Sequence, residues 1–166
     1  MADDVILTDK VQILARMAES RRALQSAIDR AGPELLVKPG SWGEWTLKDL
    51  LAHITYWQTS AIDRLQKVAA GRNDEIQLLG DDEAIDQINE NVYRANRDRS
   101  LADMLEAFNT TNLSFRTAVK SLPPSAYQEL PAEGVFSVAR TVYADGYGHD
   151  EEHLADLERA IQQAGA

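Results

Sequence analysis

A chain of 166 residues is long enough for one domain with a buried core and too short for two comfortable ones. Its composition, 44% hydrophobic and 27% charged with no cysteine, fits a globular protein and excludes disulfides, thiolate nucleophiles and cysteine-held metals. A formal net charge of -10 argues against nucleic acid and anionic membrane surfaces as partners, and no apolar run approaches the roughly 20 residues that span a bilayer. At the N-terminus, Met1-Ala2-Asp3-Asp4 is acidic where a secretory signal is basic and then apolar, so a cytoplasmic location is expected.

Thr8 is placed to cap a first helix to about Arg30, with Val11, Leu14, Met17, Ala18, Leu24 and Ile28 at helical spacing and Gly32-Pro33 as its stop. Residues 33–45, with two prolines, two glycines, Trp42 and Trp45, read as a connecting loop. Thr46-Leu47-Lys48-Asp49 has the pattern of a capping box, which opens a second helix carrying Leu47, Leu50, Leu51, Ile54, Trp57, Ala61, Leu65 and Val68, with Gly71 as terminator. Asp81 or Asp82 opens a third helical region with Ile85, Ile88, Val92 and Ala95 on one stripe. Ser100-Leu101-Ala102-Asp103 predicts a break near residues 98–100 and a fresh helix to about Lys120, with Leu101, Met104, Leu105, Phe108, Leu113, Phe115 and Val119 as its apolar face. Residues 122–136 read as another long loop, after which Ser137 caps a last helix to roughly Gln162. Gly146 and Gly148 leave two readings of that helix, one continuous from Val138 and one starting near Tyr147 with the glycines in a lead-in loop. The expectation is an all-α, four-helix bundle of one domain over 1–166, with long inter-helix connections.

Without cysteine, a metal must be held by His, Asp or Glu, and the chain has only three histidines. His149 and His153 form H-x-x-x-H, which on a helix sets two imidazoles on one face about 6 Å apart along the axis. The same spacing is also met in two exposed histidines beside an acidic run, here Asp150-Glu151-Glu152. His53 lies between Leu50 and Trp57 on an apolar face, where it is either a core histidine with one hydrogen bond or a third ligand facing the pair.

The segment from Trp42 to Trp57, with Trp45-Thr46-Leu47-Lys48-Asp49-Leu50-Leu51-Ala52-His53 at its centre, resembles the DinB-like (YfiT-like) metalloenzyme superfamily, as does Gly148-His149-Asp150-Glu151-Glu152-His153-Leu154. The resemblance spans nearly the whole chain. It implies a bundle of the up-up-down-down kind whose metal ligands are His53, His149 and His153, binding zinc, nickel or a similar divalent ion. It also implies a small-molecule substrate, with a low-molecular-weight thiol as cosubstrate in those relatives that are S-transferases. A homodimer is the expected assembly.

Three histidines leave an open coordination position, which suits metal-dependent hydrolysis or thiol transfer. For a general acid or base the candidates are Asp49, Asp145, Asp150, Glu152 and Asp156, none singled out; Asp49 is already explained by capping, and Asp150 and Glu152 read as a solvated face. Asn89 and Asn96 are candidates for a polar pocket, while Trp42, Trp45, Tyr56 and Trp57 read as core and loop anchors. The competing expectations are a non-catalytic protein that binds a metal or small ligand in a stress response, and a structural bundle with no metal.

Overall fold

Helix α1, Lys10–Leu36, begins one residue later than expected, because the Asp9 carboxylate rather than the Thr8 hydroxyl accepts the Gln12 amide at 2.9 Å. The computed structural model describes residues 5–78, 80–132 and 134–165; the acidic tetrapeptide at 1–4 lies outside them. The buried face of α1 runs Ile13, Met17, Ser20, Arg21, Leu24, Ala27 and Ile28, so the expected stripe was misphased at its start, and Val11 is 75% exposed. The axis breaks at Gly32 as expected (φ 69°), but one further turn forms because Leu36 is drawn into the core.

Helix α2, Leu47–Ala69, opens with the full capping box, Asp49 N–H donating to the Thr46 hydroxyl at 3.1 Å and Thr46 N–H to the Asp49 carboxylate at 3.0 Å. Just before it, Trp42 and Trp45 exchange backbone hydrogen bonds at 3.0 and 2.9 Å, which folds the tryptophan loop tightly over the helix start. Helix α3, Asp82–Asn96, is capped by Asp81 and buries only Val92 fully; Ala95 is exposed. After the expected break, Ser100 caps α4, Leu101–Ser121, on which Asn112 and not Leu113 faces inward. The long loop that follows holds a short 3-10 turn, Pro124–Tyr127, and the buried Tyr127 hydroxyl donates to the Val119 carbonyl at 2.6 Å.

The last segment is helical without a gap from Val138 to Gly165, as the continuous reading has it, but it is kinked at Gly146 and not one regular α-helix. Ser137 caps a short α5, Val138–Val142; a π-helical turn, Tyr143–Tyr147, follows, and α6, Gly148–Gly165, completes the chain. Among the described residues there is no strand, and no helix is long and apolar enough to cross a membrane.

Cross-helix contacts set the directions. Arg16 meets Glu151 and Arg30 meets Glu158, so α1 and α6 run parallel. His53 meets His149 and Arg64 meets Asp145, so α2 runs against the last segment. Lys10 reaches the Lys120 carbonyl while Arg21 lies over Phe108, so α4 runs against α1. The four long helices therefore run up, down, down, up, a correction to the up-up-down-down order that the resemblance implied; α3 packs outside on α2.

The core is in two parts. One apolar cluster gathers Leu24, Ile28, Leu50, Leu51, Ile54, Met104, Phe108 and Leu157, the other Ile13, Met17, Ala61, Leu65, Phe115, Val119 and Val142. Along α1, α2, α4 and α6 buried polar residues lie between the two clusters: Ser20 and Arg21 on α1, Gln58 beside the buried Trp57 on α2, Asn112 on α4, Asp150 on α6. A polar belt thus crosses the bundle at the level of the histidines. Within it Arg21 donates to Asp150 at 3.0 Å and lies 4.1 Å over the Phe108 ring, while Asn112, its amide oxygen oriented by hydrogen-bond complementarity, accepts from Arg21 Nε at 3.0 Å.

Candidate metal centre

The regular period of α2 turns His53 toward α6, and the first turns of α6 bring His149 and His153 to the same point. Nε2 of His149 lies 3.0 Å from Nε2 of His53 and 2.9 Å from Nε2 of His153, and the three atoms all lie within 4.8 Å of one another. The π turn makes this possible. It keeps Asp145, Gly146 and Tyr147 all buried and delivers both His149 and Asp150 inward. Gly146 lies so close to Phe115 that a Cβ would stand 2.9 Å from the ring, and a Cβ on Gly148 would stand 2.5 Å from the Tyr143 ring.

Burial, and then the neighbouring His153, push the His53 imidazole down to about 4, with Asn89 and Asp156 opposing the shift. Burial followed by the other two histidines and Arg21 pushes His149 down to about 2. Both rings are therefore neutral at pH 7. His153 Nδ1 donates to the Asp156 carboxylate at 2.9 Å, which in the neutral ring leaves Nε2 as a lone pair aimed at the other two. Burial alone would raise the Asp156 carboxyl, but hydrogen bonds from His153, Arg159 and Trp42 together hold it below its ordinary value.

This donor set fits a divalent cation better than it fits itself. Nδ1 of His53 and of His149 is buried with no hydrogen-bond partner among the described residues. With one proton per neutral ring, every assignment leaves opposed lone pairs, opposed N–H groups or a buried N–H unpaired. A cation accepting three Nε2 lone pairs removes the conflict at the centre, and imidazole suits zinc, nickel and copper.

Beside the histidines opens a cavity of about 530 Å³, walled by Trp42, Trp45 and Trp57 and reached by Asn89, Asp145 and Glu152. The tryptophans, read from sequence as anchors, form its wall. Trp42 Nε1–H donates to Asp156 at 3.2 Å, Trp57 Nε1–H donates to Asn89 at 3.1 Å, and Trp45 stacks on Tyr93. Tyr56 is exposed and takes no part, and Asn96 turns back to the Val92 carbonyl.

The carboxylate candidates separate cleanly. Asp49 serves the capping box. Asp156 orients His153, a role signalled by its i, i+3 spacing on one helix face. Asp145 reaches the cavity but is ion-paired to Arg64 at 2.6 Å; burial raises its carboxyl to about 6 against the pull of that arginine. Asp150 corrects the expectation of a solvated face. It is 2% exposed, paired with Arg21 and raised by burial to about 6, whereas Glu152 is exposed at the cavity rim. Arg21 and Arg64, which fix these two carboxylates, carry no sequence signal beyond lying on helices that turn out to face α6 and the π turn.

A profile of the mycothiol maleylpyruvate isomerase N-terminal domain matches residues 18–149, from within α1 to the first of the paired histidines, so His153 lies just past the match. No curated protein sequence matches the chain. Among solved structures, an uncharacterised protein from Escherichia coli UTI89 superposes with a TM-score of 0.84 over 96% of both chains at 11% identity, a likeness of fold alone. With most of its length matched, the chain belongs to the mycothiol maleylpyruvate isomerase N-terminal domain family, a DinB/YfiT-like helical family.

Proposed function

We propose that the protein is a divalent-metal-dependent enzyme that joins a low-molecular-weight thiol of the mycothiol kind to a small electrophile, with His53, His149 and His153 as the metal ligands. The observation that carries the reading is the convergence of three imidazole Nε2 atoms, one of them oriented by Asp156, beside a cavity of about 530 Å³. No fourth His, Asp or Glu joins the cluster among the described residues, which supports an open coordination position over a saturated storage or structural site. When bound, a divalent ion supplies a Lewis acid that lowers the pKa of a coordinating thiol. The chain's own residues do the rest: Asp156 fixes the His153 ring, and Trp42, Trp45 and Trp57 give the cavity an apolar wall against which a small molecule can pack. Family membership supports a thiol over water as the second reactant, so transfer is preferred to hydrolysis. The reading takes the protein to work in the cytoplasm, where thiols are kept reduced, and keeps a homodimer as the expected assembly.

Metal analysis of the purified wild type beside His53→Ala and His149→Ala tests the site. The wild type is expected to carry about one zinc or nickel per chain, and each variant to lose it while keeping its helical circular dichroism. Equal metal content in all three would return the bundle to a purely structural role. Turnover of electrophiles with and without the thiol then separates an enzyme from a binding protein.

A further inference from the structure

We infer that the cavity selects ligands that carry an ammonium or other cationic group away from the histidines, and turns carboxylates away. This rests on the reading of the cavity as the substrate site, and adds to it the sign of the substrate.

Among the described residues that line the cavity none is Lys or Arg, while four are acidic: Asp86, Glu90, Asp145 and Glu152. Two of these are already answered, Asp145 by Arg64 at 2.6 Å and Glu90 by Arg94 at 2.7 Å. Among the described residues Asp86 and Glu152 have no ion-pair partner, and they stand on different helices, α3 and α6. The wall itself has the same preference. The face of an indole ring is electron-rich and attracts cations. Trp42 and Trp57 have their N–H groups committed to Asp156 and Asn89, so neither offers a donor to an anion. Tyr93 stacked on Trp45, with an interplanar angle of 6°, holds that indole in place.

A ligand carboxylate seated on the wall or rim, away from the histidines, loses part of its hydration and meets no Lys or Arg there. A ligand ammonium meets two free carboxylates and aromatic faces. The net charge of -10 biases approach in the same direction. A divalent ion at the histidines attracts the ligand's thiol end, which leaves the wall and rim to decide on the group at the far end.

All three tryptophans of the chain line the cavity, so intrinsic fluorescence reports binding there without a label. The zinc-loaded protein is titrated with cysteamine, 2-mercaptoethanol and 3-mercaptopropionate, thiols that differ in the charge of the distal group. Cysteamine is expected to bind about tenfold more tightly than 3-mercaptopropionate, with 2-mercaptoethanol between them. The Asp86→Asn, Glu152→Gln double variant is expected to lose most of that ratio, which differences in thiol acidity alone leave unchanged. Equal affinities in the wild type, or a ratio untouched in the double variant, would overturn the inference. If no thiol binds, the thiol reading fails, and the charge preference is read by the same quench with choline against isovalerate. No preference for choline there overturns it as well.

Discussion

The two helices that supply the imidazoles are built by different means. α2 is made by local rules, a capping box at Thr46 and Asp49, an apolar stripe interrupted only at the belt by Gln58, and a glycine after its end, and His53 follows from its phase. The segment bearing His149 and His153 is assembled from outside. Its π turn is shaped by Phe115 against Gly146 and by Arg64 on Asp145, and its first α6 turn is held by Arg21 on Asp150. One ligand is thus positioned by the helix that carries it and two by what that helix packs against.

That contrast can be broken most forcefully at Gly146. The Phe115 ring is fully buried and a Cβ at 2.9 Å forces it or the π turn to shift, so Gly146→Ala is expected to cost about 2–3 kcal/mol in urea unfolding, and to lower metal content by misdirecting His149. A variant as stable and as metal-rich as the wild type would mean that the π turn is not set by this contact.

Acid titration of the metal-free protein sharpens the comparison between the two helices. With folded values of about 4 for His53 and about 2 for His149, these two rings bind fewer protons in the folded chain than in the unfolded one below pH 6.5, so their contribution to stability falls as pH drops through that value. Asp145 and Asp150, raised to about 6, act in the opposite sense, gaining stability as pH falls from 6 toward 3.8. Comparing variants isolates the histidines. Between pH 6.5 and 4, His149→Gln is expected to lose on the order of 2 kcal/mol less than the wild type. His53→Gln should match it down to about pH 4 and diverge below, where only His149 still resists protonation. Parallel slopes for wild type and variants would show the rings to be less buried than the structure has them.

The smallest effect belongs to the locally built helix. Thr46→Ala removes the hydroxyl that accepts from the Asp49 N–H and donates to the Asp49 carboxylate, and is expected to cost about 1 kcal/mol in thermal or chemical unfolding, with metal content unchanged. Loss of metal from this variant would mean that His53 depends on more than the phase of α2.

What could be read from sequence follows the same division. The capping box at Thr46, the cap at Ser100 and the break before it, the apolar faces of α2 and most of α4, and the spacing of the histidines are encoded within a turn or two of chain, and the structure has them, although Asp103 does not return a bond to Ser100 to complete a second box. Val11 and Leu113 were misassigned because short apolar residues occur on both faces and only a partner decides which is buried. Asp150 was read as solvated because an acidic triplet is usually so; its burial depends on Arg21, more than a hundred residues earlier. The π turn, the indole wall and the order of helix directions likewise arise between distant segments, where one sequence offers no periodicity to read.

The polar belt also acts as a ruler. Apolar faces of parallel helices tolerate sliding by a turn, about 5.4 Å, since one leucine replaces another with little loss. The pairing of Arg21 with Asp150 does not, because a slip would strand a buried charge at a cost of several kcal/mol. The helix so indexed carries His149 next to Asp150. A salt bridge that touches no ligand therefore sets the alignment on which the convergence of the three imidazoles depends.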